Sequence, residues 1–385
     1  MSKPKVLYYL HTYFLDNALE QMRLMSSIAD LHVLIELSPE SLKSTIVDFT
    51  TLNPKNYFNT LQSIIAEEDL KRLGKYIDNV SSISYIYYPS KSIIGLNNWR
   101  SLKSFLAFLY TNSFDLLHFD TISARLLPLL PFISNKKIIA TIHDPVPHIG
   151  EKSRKRSIIN WLYSMVINEY VFYSIYARNQ FVLSRPALHN KTAILKLLPY
   201  SYINNFKQAT SKSEQYILYF GRISAYKGLD LLINAADYIL HRYPSIKIYI
   251  AGKSHGDYKL NLAGKGNIQY INSYLSINQL AELIQHALFV VCPYKEATQS
   301  GVLMTSLAMN KPVLATSVGA FNEYIKNGEN GILVEPSVDG IQRGITQMLT
   351  GKYYLDLTNN IDNQSNEVQR QYNYERYKQL YSHQK

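Results

Sequence analysis

Residues 293–336 read PYKEATQSGVLMTSLAMNKPVLATSVGAFNEYIKNGENGILVEP. The stretch follows an apolar run, Ala287–Cys292, which is short, rich in β-branched residues and predicts a buried strand. A polar turn, Lys295–Ser300, leads into a helix capped by Thr298 or Ser300, with Leu303/Leu307 and Met304/Ala308 at helical spacing. Lys311-Pro312 ends that helix, and Val313–Thr316 predicts the next strand. Strand, loop, helix and strand form a βαβ unit of a parallel sheet. Such a unit leaves a helix N-terminus at the carboxyl end of a strand. There the free amides of Ser300, Gly301 and Val302 can hold a phosphate, and Gly301 allows close backbone approach.

Working outward, the first half of the chain alternates strand and helix in the same way. Predicted strands cover residues 5–10, 31–36, 81–88, 115–119, 137–142, 171–174 and 192–198, with helices over 16–28, 56–79, 97–111 and 174–182. Asp16 is the expected N-cap of the first helix. The alternation predicts a doubly wound α/β domain. One strand ends in His143-Asp144-Pro-Val-Pro-His148. Polar residues at the carboxyl end of a parallel strand border the crevice where such folds bind ligands. His143 is therefore a candidate site residue, with Asp144 orienting it or capping the next segment, and His148 a weaker candidate. The first loop, His11–Asp16, holds Thr12 and Tyr13 and contains no glycine.

The polar, turn-rich residues 199–214 read as a linker to a second α/β domain. Its first strand, Tyr216–Phe220, runs directly into Gly221-Arg222-Ile-Ser-Ala-Tyr-Lys227-Gly228 and a helix. Two cations between two glycines suit an anion: Arg222 can fork two oxygens, and Lys227 supplies a point charge. The boundaries expected are 1–200 for the first domain, 201–360 for the second, and 361–385 for a C-terminal helix.

At 385 residues the chain is too long for one ordinary core, and 46% apolar content suits a globular protein. Its single cysteine, Cys292, excludes a disulfide framework and points to a reducing compartment. The apolar run after Met1 is short for a signal peptide, and there is no long apolar run of membrane-spanning length. These features lead us to expect a cytoplasmic protein. The net charge of +11 suits phosphate-bearing substrates or an anionic surface. Lys152, Arg154, Lys155 and Arg156 precede an aromatic-bearing helix. They read either as a contact with anionic lipid headgroups, at the inner face of a membrane, or as the solvated start of a core helix. There is no second basic cluster interleaved with aromatics, so no nucleic-acid partner is expected.

The motifs together resemble the family 4 retaining glycosyltransferases, which have the GT-B fold of two Rossmann-like doubly wound domains facing a cleft. Pro293, Glu296, Gly301, Lys311-Pro312-Val313, Gly319 and Glu323 stand in the places of the family's donor-site pattern, and Gly221-Arg222 with Lys227-Gly228 resembles its diphosphate motif. The resemblance implies sugar transfer from a nucleotide sugar, such as a UDP- or GDP-sugar, to a hydroxyl of a glycan or lipid-linked acceptor in surface polysaccharide synthesis. It implies anomeric retention and neither a metal nor a cofactor. It gives Arg222, Lys227 and the Ser300–Val302 amides to the diphosphate, with Gly221 beside them. It gives Glu296 to the sugar, Thr305 to the ribose, His143 to the transferred sugar or acceptor hydroxyl, and Tyr13 and Asp144 to the acceptor side. Two departures stand out. Ala297 and Thr305 occupy the places of the family's paired glutamates, and the first loop lacks the family's glycine pair. Two other readings fit such a fold: a sugar-nucleotide epimerase, or a non-catalytic nucleotide-sugar-binding scaffold.

Overall fold

Eight strands belong to the first half: β1 (Lys5–His11), β2 (Asp30–Leu37), β3 (Phe58–Thr60), β4 (Ser82–Tyr87), β5 (Leu116–Phe119), β6 (Lys137–Thr141), β7 (Glu169–Phe172) and β8 (Thr192–Ile194). Six belong to the second: β9 (Tyr216–Phe220), β10 (Lys247–Ala251), β11 (Ile268–Ile271), β12 (Val290–Cys292), β13 (Val313–Thr316) and β14 (Gly331–Val334). The computed structural model describes residues 3–382 except 43–45, 48, 51, 53–56, 62–66, 91–94, 147–153, 209–213 and 362.

The first sheet has the order β3-β4-β2-β1-β5-β6-β7-β8, and the second β11-β10-β9-β12-β13-β14. Every pairing is parallel except β3 with β4. Parallel strands are covered by helices on both faces, so they read as continuous apolar runs: Val6–Leu10 and Tyr216–Phe220 are buried throughout. Chain order reverses beside β1 in one sheet and beside β9 in the other. A crevice opens at the carboxyl ends of the strands where the order reverses. Four segments therefore meet there: the turn after β1, Asp120 after β5, the Gly221–Gly228 loop after β9, and the Pro293–Ser300 loop after β12.

Several expectations need correction. The first helix runs from Leu15 to Ile28, its N-cap is Phe14, and no side chain caps it. A short turn of 3-10 helix, Thr12–Phe14, takes up the preceding loop, so Asp16 falls inside the first turn. Its carboxylate instead accepts a hydrogen bond from the Tyr202 hydroxyl. The helix expected over 56–79 is preceded by the antiparallel edge strand β3 and begins at Glu67. The linker is built in, since Tyr202, Ile203 and Phe206 of its 3-10 helix Ser201–Phe206 are buried. Of the basic cluster, Lys152 lies outside the described residues, as does His148. Arg154, Lys155 and Arg156 lie in the first turns of the helix Arg154–Ser164.

The two halves are joined by hydrogen bonds. Glu323 accepts from the backbone amides of Ile175 and Tyr176, at 2.8 and 2.7 Å, at the start of the helix Ile175–Ser184. A carboxylate at a helix N-terminus satisfies free amides and meets the positive end of the dipole. Tyr324 donates its hydroxyl to the Tyr173 carbonyl and accepts from Leu197 N. The C-terminal helix, Asn363–Tyr381, returns to the first domain. Asn373 there pairs with both backbone groups of Lys196, at 2.7 and 2.8 Å, and Tyr377 donates to Gln21 Oε1 at 2.9 Å. The Tyr381 hydroxyl meets His118 Nδ1 at 2.7 Å.

Near the first crevice, buried Glu36 holds Arg125 Nη1 at 2.7 Å through Oε1 and accepts from the Tyr9 hydroxyl at 2.6 Å through Oε2. Removing one partner of such a pair leaves an uncompensated buried charge. Arg125→Ala is expected to lower stability by about 3–5 kcal/mol, while the double change to Arg125→Met and Glu36→Leu costs less, about 1–3 kcal/mol, from the Tyr9 hydroxyl left without its acceptor. Urea unfolding of the three proteins checks this.

Candidate active site

The loop after β9 is shaped by glycine. Gly228 has φ +64°, and a Cβ there would sit 1.9 Å from the Pro293 carbonyl oxygen. Gly221 has φ +109°, and its Cβ would meet the Val302 side chain at 2.9 Å. The two glycines thus allow the Arg222–Lys227 loop to lie against both the Pro293 loop and the helix Gly301–Ala308. Lys295 fastens this contact, donating its amide to the Tyr226 carbonyl at 2.8 Å and its ammonium to Asp230 Oδ2 at 2.8 Å.

A cleft of about 480 Å³ opens where these loops face the first domain. It brings together Gly221, Arg222, Lys227, Ser300, Gly301, Val302 and Thr305 from the second domain with Tyr13 and Asp144 from the first. Ser300 caps the helix, its Oγ accepting from Leu303 N at 3.2 Å. Arg222 is exposed to the cleft. Lys227 is only 8% exposed. Its Nζ lies 3.8 Å from the centre of the Tyr294 ring, with the Tyr226 ring at 5.0 Å. Among the described residues no carboxylate lies within ion-pair distance of it. Burial lowers its pKa to about 7, with nearby Arg222 adding to the effect and Cys292 and Asp144 opposing it. A cation held this way lacks a counter-charge that an anionic ligand would supply.

Thr305 Oγ1 donates to the Gly301 carbonyl at 2.8 Å, so toward the cleft it can only accept. Tyr13 donates its hydroxyl to the Glu40 carbonyl at 2.8 Å and lies against His11, with ring centroids 4.3 Å apart. Asp144 Oδ1 accepts from Thr298 Oγ1 at 2.7 Å, across the domain gap.

Two expected residues stand elsewhere. Glu296 does not line the cleft, and its neighbour Ala297 does. The lining begins at Ala297 and runs on without a gap to Val302. His143 lines a second cavity of about 330 Å³, which shares Phe14 and Asp144 with the cleft. Its ring is stacked on Phe14, 3.7 Å between centroids and 5° between planes. Nε2 faces Asp120 Oδ2 at 3.1 Å, and Nδ1 faces Gln299 Nε2 at 2.7 Å. Burial pushes the His143 pKa down, but the charge and hydrogen bond of Asp120, with Asp144 and Gln299, outweigh it and leave the pKa raised. The carboxylate that orients His143 is thus Asp120 rather than Asp144.

Some site residues went unread in the sequence. Asp120, buried behind His143 rather than lining either cavity, follows β5 just as His143 follows β6; the strand-end rule marks it as near the crevice but not as the partner of His143. Asn17, 3% exposed, lines the cleft with neither amide atom hydrogen-bonded. Nothing in the sequence marks it, because its neighbours come from tertiary packing.

Residues 214–351 match the sequence family described as Glycosyl transferases group 1. An uncharacterized glycosyltransferase of Methanocaldococcus jannaschii is 31% identical over 153 residues, covering 38% of this chain and 39% of that protein. The GDP-mannose:glycolipid 4-beta-D-mannosyltransferase of Xanthomonas campestris pv. campestris is 22% identical over 197 residues, covering 50% of this chain and 53% of that one. The chain thus spans about two fifths to one half of the length of these curated relatives. The crystal structure of Anabaena Alr3699/HepE in complex with UDP-glucose superposes with a TM-score of 0.66 at 13% identity, over 97% of this chain and 99% of that one. The architecture is the two-domain GT-B fold.

Lys227 makes a pH signature for anion binding. Its pKa is about 7 in the folded protein against the ordinary 10.5, so between those values the folded chain holds one proton fewer than the unfolded chain. Burying Lys227 therefore lowers stability in full below pH 7, and the deficit fades as pH rises toward 10.5. A bound diphosphate restores the proton. Binding of UDP at roughly pH 8.5 is expected to take up about one proton, read as a calorimetric enthalpy that varies with the buffer's ionisation heat. The uptake disappears in Lys227→Met; if it persists there, another group carries it.

Proposed function

We propose that this chain is a glycosyltransferase that moves a hexose-type sugar from a nucleotide sugar to a hydroxyl of a glycan or lipid-linked acceptor. The observation that carries the reading is the buried, carboxylate-free Lys227 in the same cleft as Arg222 and the N-terminus of the helix Gly301–Ala308. As the glycosidic bond breaks, the leaving diphosphate gains charge. Lys227 and Arg222 stabilise that charge, and the amides of Ser300, Gly301 and Val302 hold a phosphate. Thr305 accepts from a ribose hydroxyl, a single neutral bond worth about 0.5–1.5 kcal/mol. The second cavity adjoins the cleft at Phe14 and Asp144, which suits an acceptor hydroxyl entering from the first domain.

We assign retention of anomeric configuration, with the leaving phosphate receiving the acceptor proton. The support is that two carboxylates lining the cleft, Asp16 and Asp144, are each already engaged by a hydroxyl donor. No metal enters this scheme, since side chains and amides meet the phosphate charge.

A peripheral membrane location is part of the proposal. No helix among the described residues is long and apolar enough to cross a membrane. The helix Arg154–Ser164 and the residue after it present Ile158, Trp161 and Met165 to solvent at helical spacing, behind the basic sequence Lys152-Ser-Arg-Lys-Arg156. An exposed apolar stripe beside basic residues suits an anionic lipid surface at the inner face of a membrane. Cosedimentation with anionic vesicles should exceed that with neutral ones and fall with salt; equal sedimentation would contradict it.

Lys227→Ala is expected to lower turnover by roughly 30- to 800-fold, since a placed charge supplies about 2–4 kcal/mol. A screen of UDP- and GDP-sugars by thermal stabilisation identifies the donor, and NMR of the product's anomeric proton reads the stereochemistry. Wild-type turnover in the variant would remove Lys227 from the reaction.

A further inference from the structure

Asp120 is 0% exposed, at the carboxyl end of β5. Among the described residues its Oδ1 has no hydrogen-bond partner, its Oδ2 meets the His143 ring at 3.1 Å, and the buried Tyr8 side chain interacts with the same carboxylate. Swapping a buried ion pair for apolar residues is often neutral for stability, so the pair is weak as a fold-stabilising device. What it does fix is geometry. The ring is held by the Phe14 stack on its face and by Asp120 on Nε2, and this leaves Nδ1 aimed at Gln299.

Gln299 lines the cleft in the middle of a loop fixed on both sides. Before it, Thr298 donates its hydroxyl to Asp144 and accepts the Ser174 hydroxyl at its carbonyl, 2.8 Å away. After it, Ser300 caps the helix whose first amides face the cleft. The N-terminal domain thus grips this loop by its side chains, and the grip on Gln299 is only as firm as the His143 ring.

Resting on the reading above, we propose that Asp120 is a positioning residue for the donor. Acting through His143, it holds Gln299, and with it the loop 297–300, in the shape that the nucleotide sugar meets. Asp120 itself touches no substrate. Asp120→Asn keeps size but removes the charge that fixes the ring, and Gln299→Ala removes the far end of the chain of contacts.

Calorimetric titration with UDP-glucose and GDP-mannose of wild type, Asp120→Asn, Gln299→Ala and the double variant tests this. Each single change is expected to weaken the nucleotide sugar that wild type binds by about tenfold, and the double no more than Gln299→Ala alone. A purely structural role would lower the melting temperature and leave the affinity of the folded protein unchanged. That result, or losses that multiply in the double variant, overturns the proposal while wild-type binding keeps the reading of the cleft. If Asp120→Asn does not fold, Gln299→Ala, in a loop outside the core, still decides: wild-type affinity there overturns the proposal. Failure of wild type to bind either nucleotide sugar overturns the underlying reading and this proposal with it.

Discussion

The Glu323 carboxylate, set on the first amides of a helix in the opposite domain, is the contact that makes a cleft out of two separate crevices. Each sheet alone would offer a strand-end crevice open to water on one side. Held face to face, the two supply helix N-terminal amides and cations from one wall and a histidine network from the other. Around the cleft the junction is made by polar pairs: Tyr324 with Tyr173, Thr298 with Asp144, Gln299 with His143. Polar contacts of this kind hold geometry while exchanging readily with water, which suits two domains that must admit and release a ligand.

The parts of the site legible in the sequence are those built by local chemistry. Glycines at positive φ, a Ser N-cap and cations spaced along one loop follow from neighbours in the chain, and Gly221, Arg222, Lys227, Gly228 and Ser300 were all readable for that reason. The strand–helix alternation gave the fold class in the same way. Illegible were features that depend on pairing order. Asp120 meets His143 because β5 lies beside β6, and Asn17 meets the cleft because the first helix packs under the linker's Tyr202. Glu296 illustrates a finer limit, since the sequence does not show where along the loop the cleft lining begins, and it begins one residue later, at Ala297.

The tyrosine-rich composition also has a structural account. Tyr8, Tyr173, Tyr202, Tyr377 and Tyr381 are buried around the junction of the first sheet, the linker and the C-terminal helix. Their rings fill the core, while hydroxyls such as those of Tyr202, Tyr377 and Tyr381 reach polar partners on other elements. The C-terminal helix is thereby tied to the strand that carries Asp120, through His118, whose own pKa burial lowers to about 4. Neutral at physiological pH, His118 serves as a hydrogen-bond bridge and adds no charge beside the Asp120–His143 pair.

A lysine that titrates near 7 is about half unprotonated at neutral pH, whereas an ordinary exposed amine is almost wholly a cation. The free amine is a nucleophile. Lys227 lies at the wall of a cleft large enough for a small reagent. An acylating or aldehyde-bearing compound that carries an anionic group therefore has an amine to react with at the wall of the cleft. The burial that leaves Lys227 without a carboxylate partner thus also gives the cleft a chemical handle.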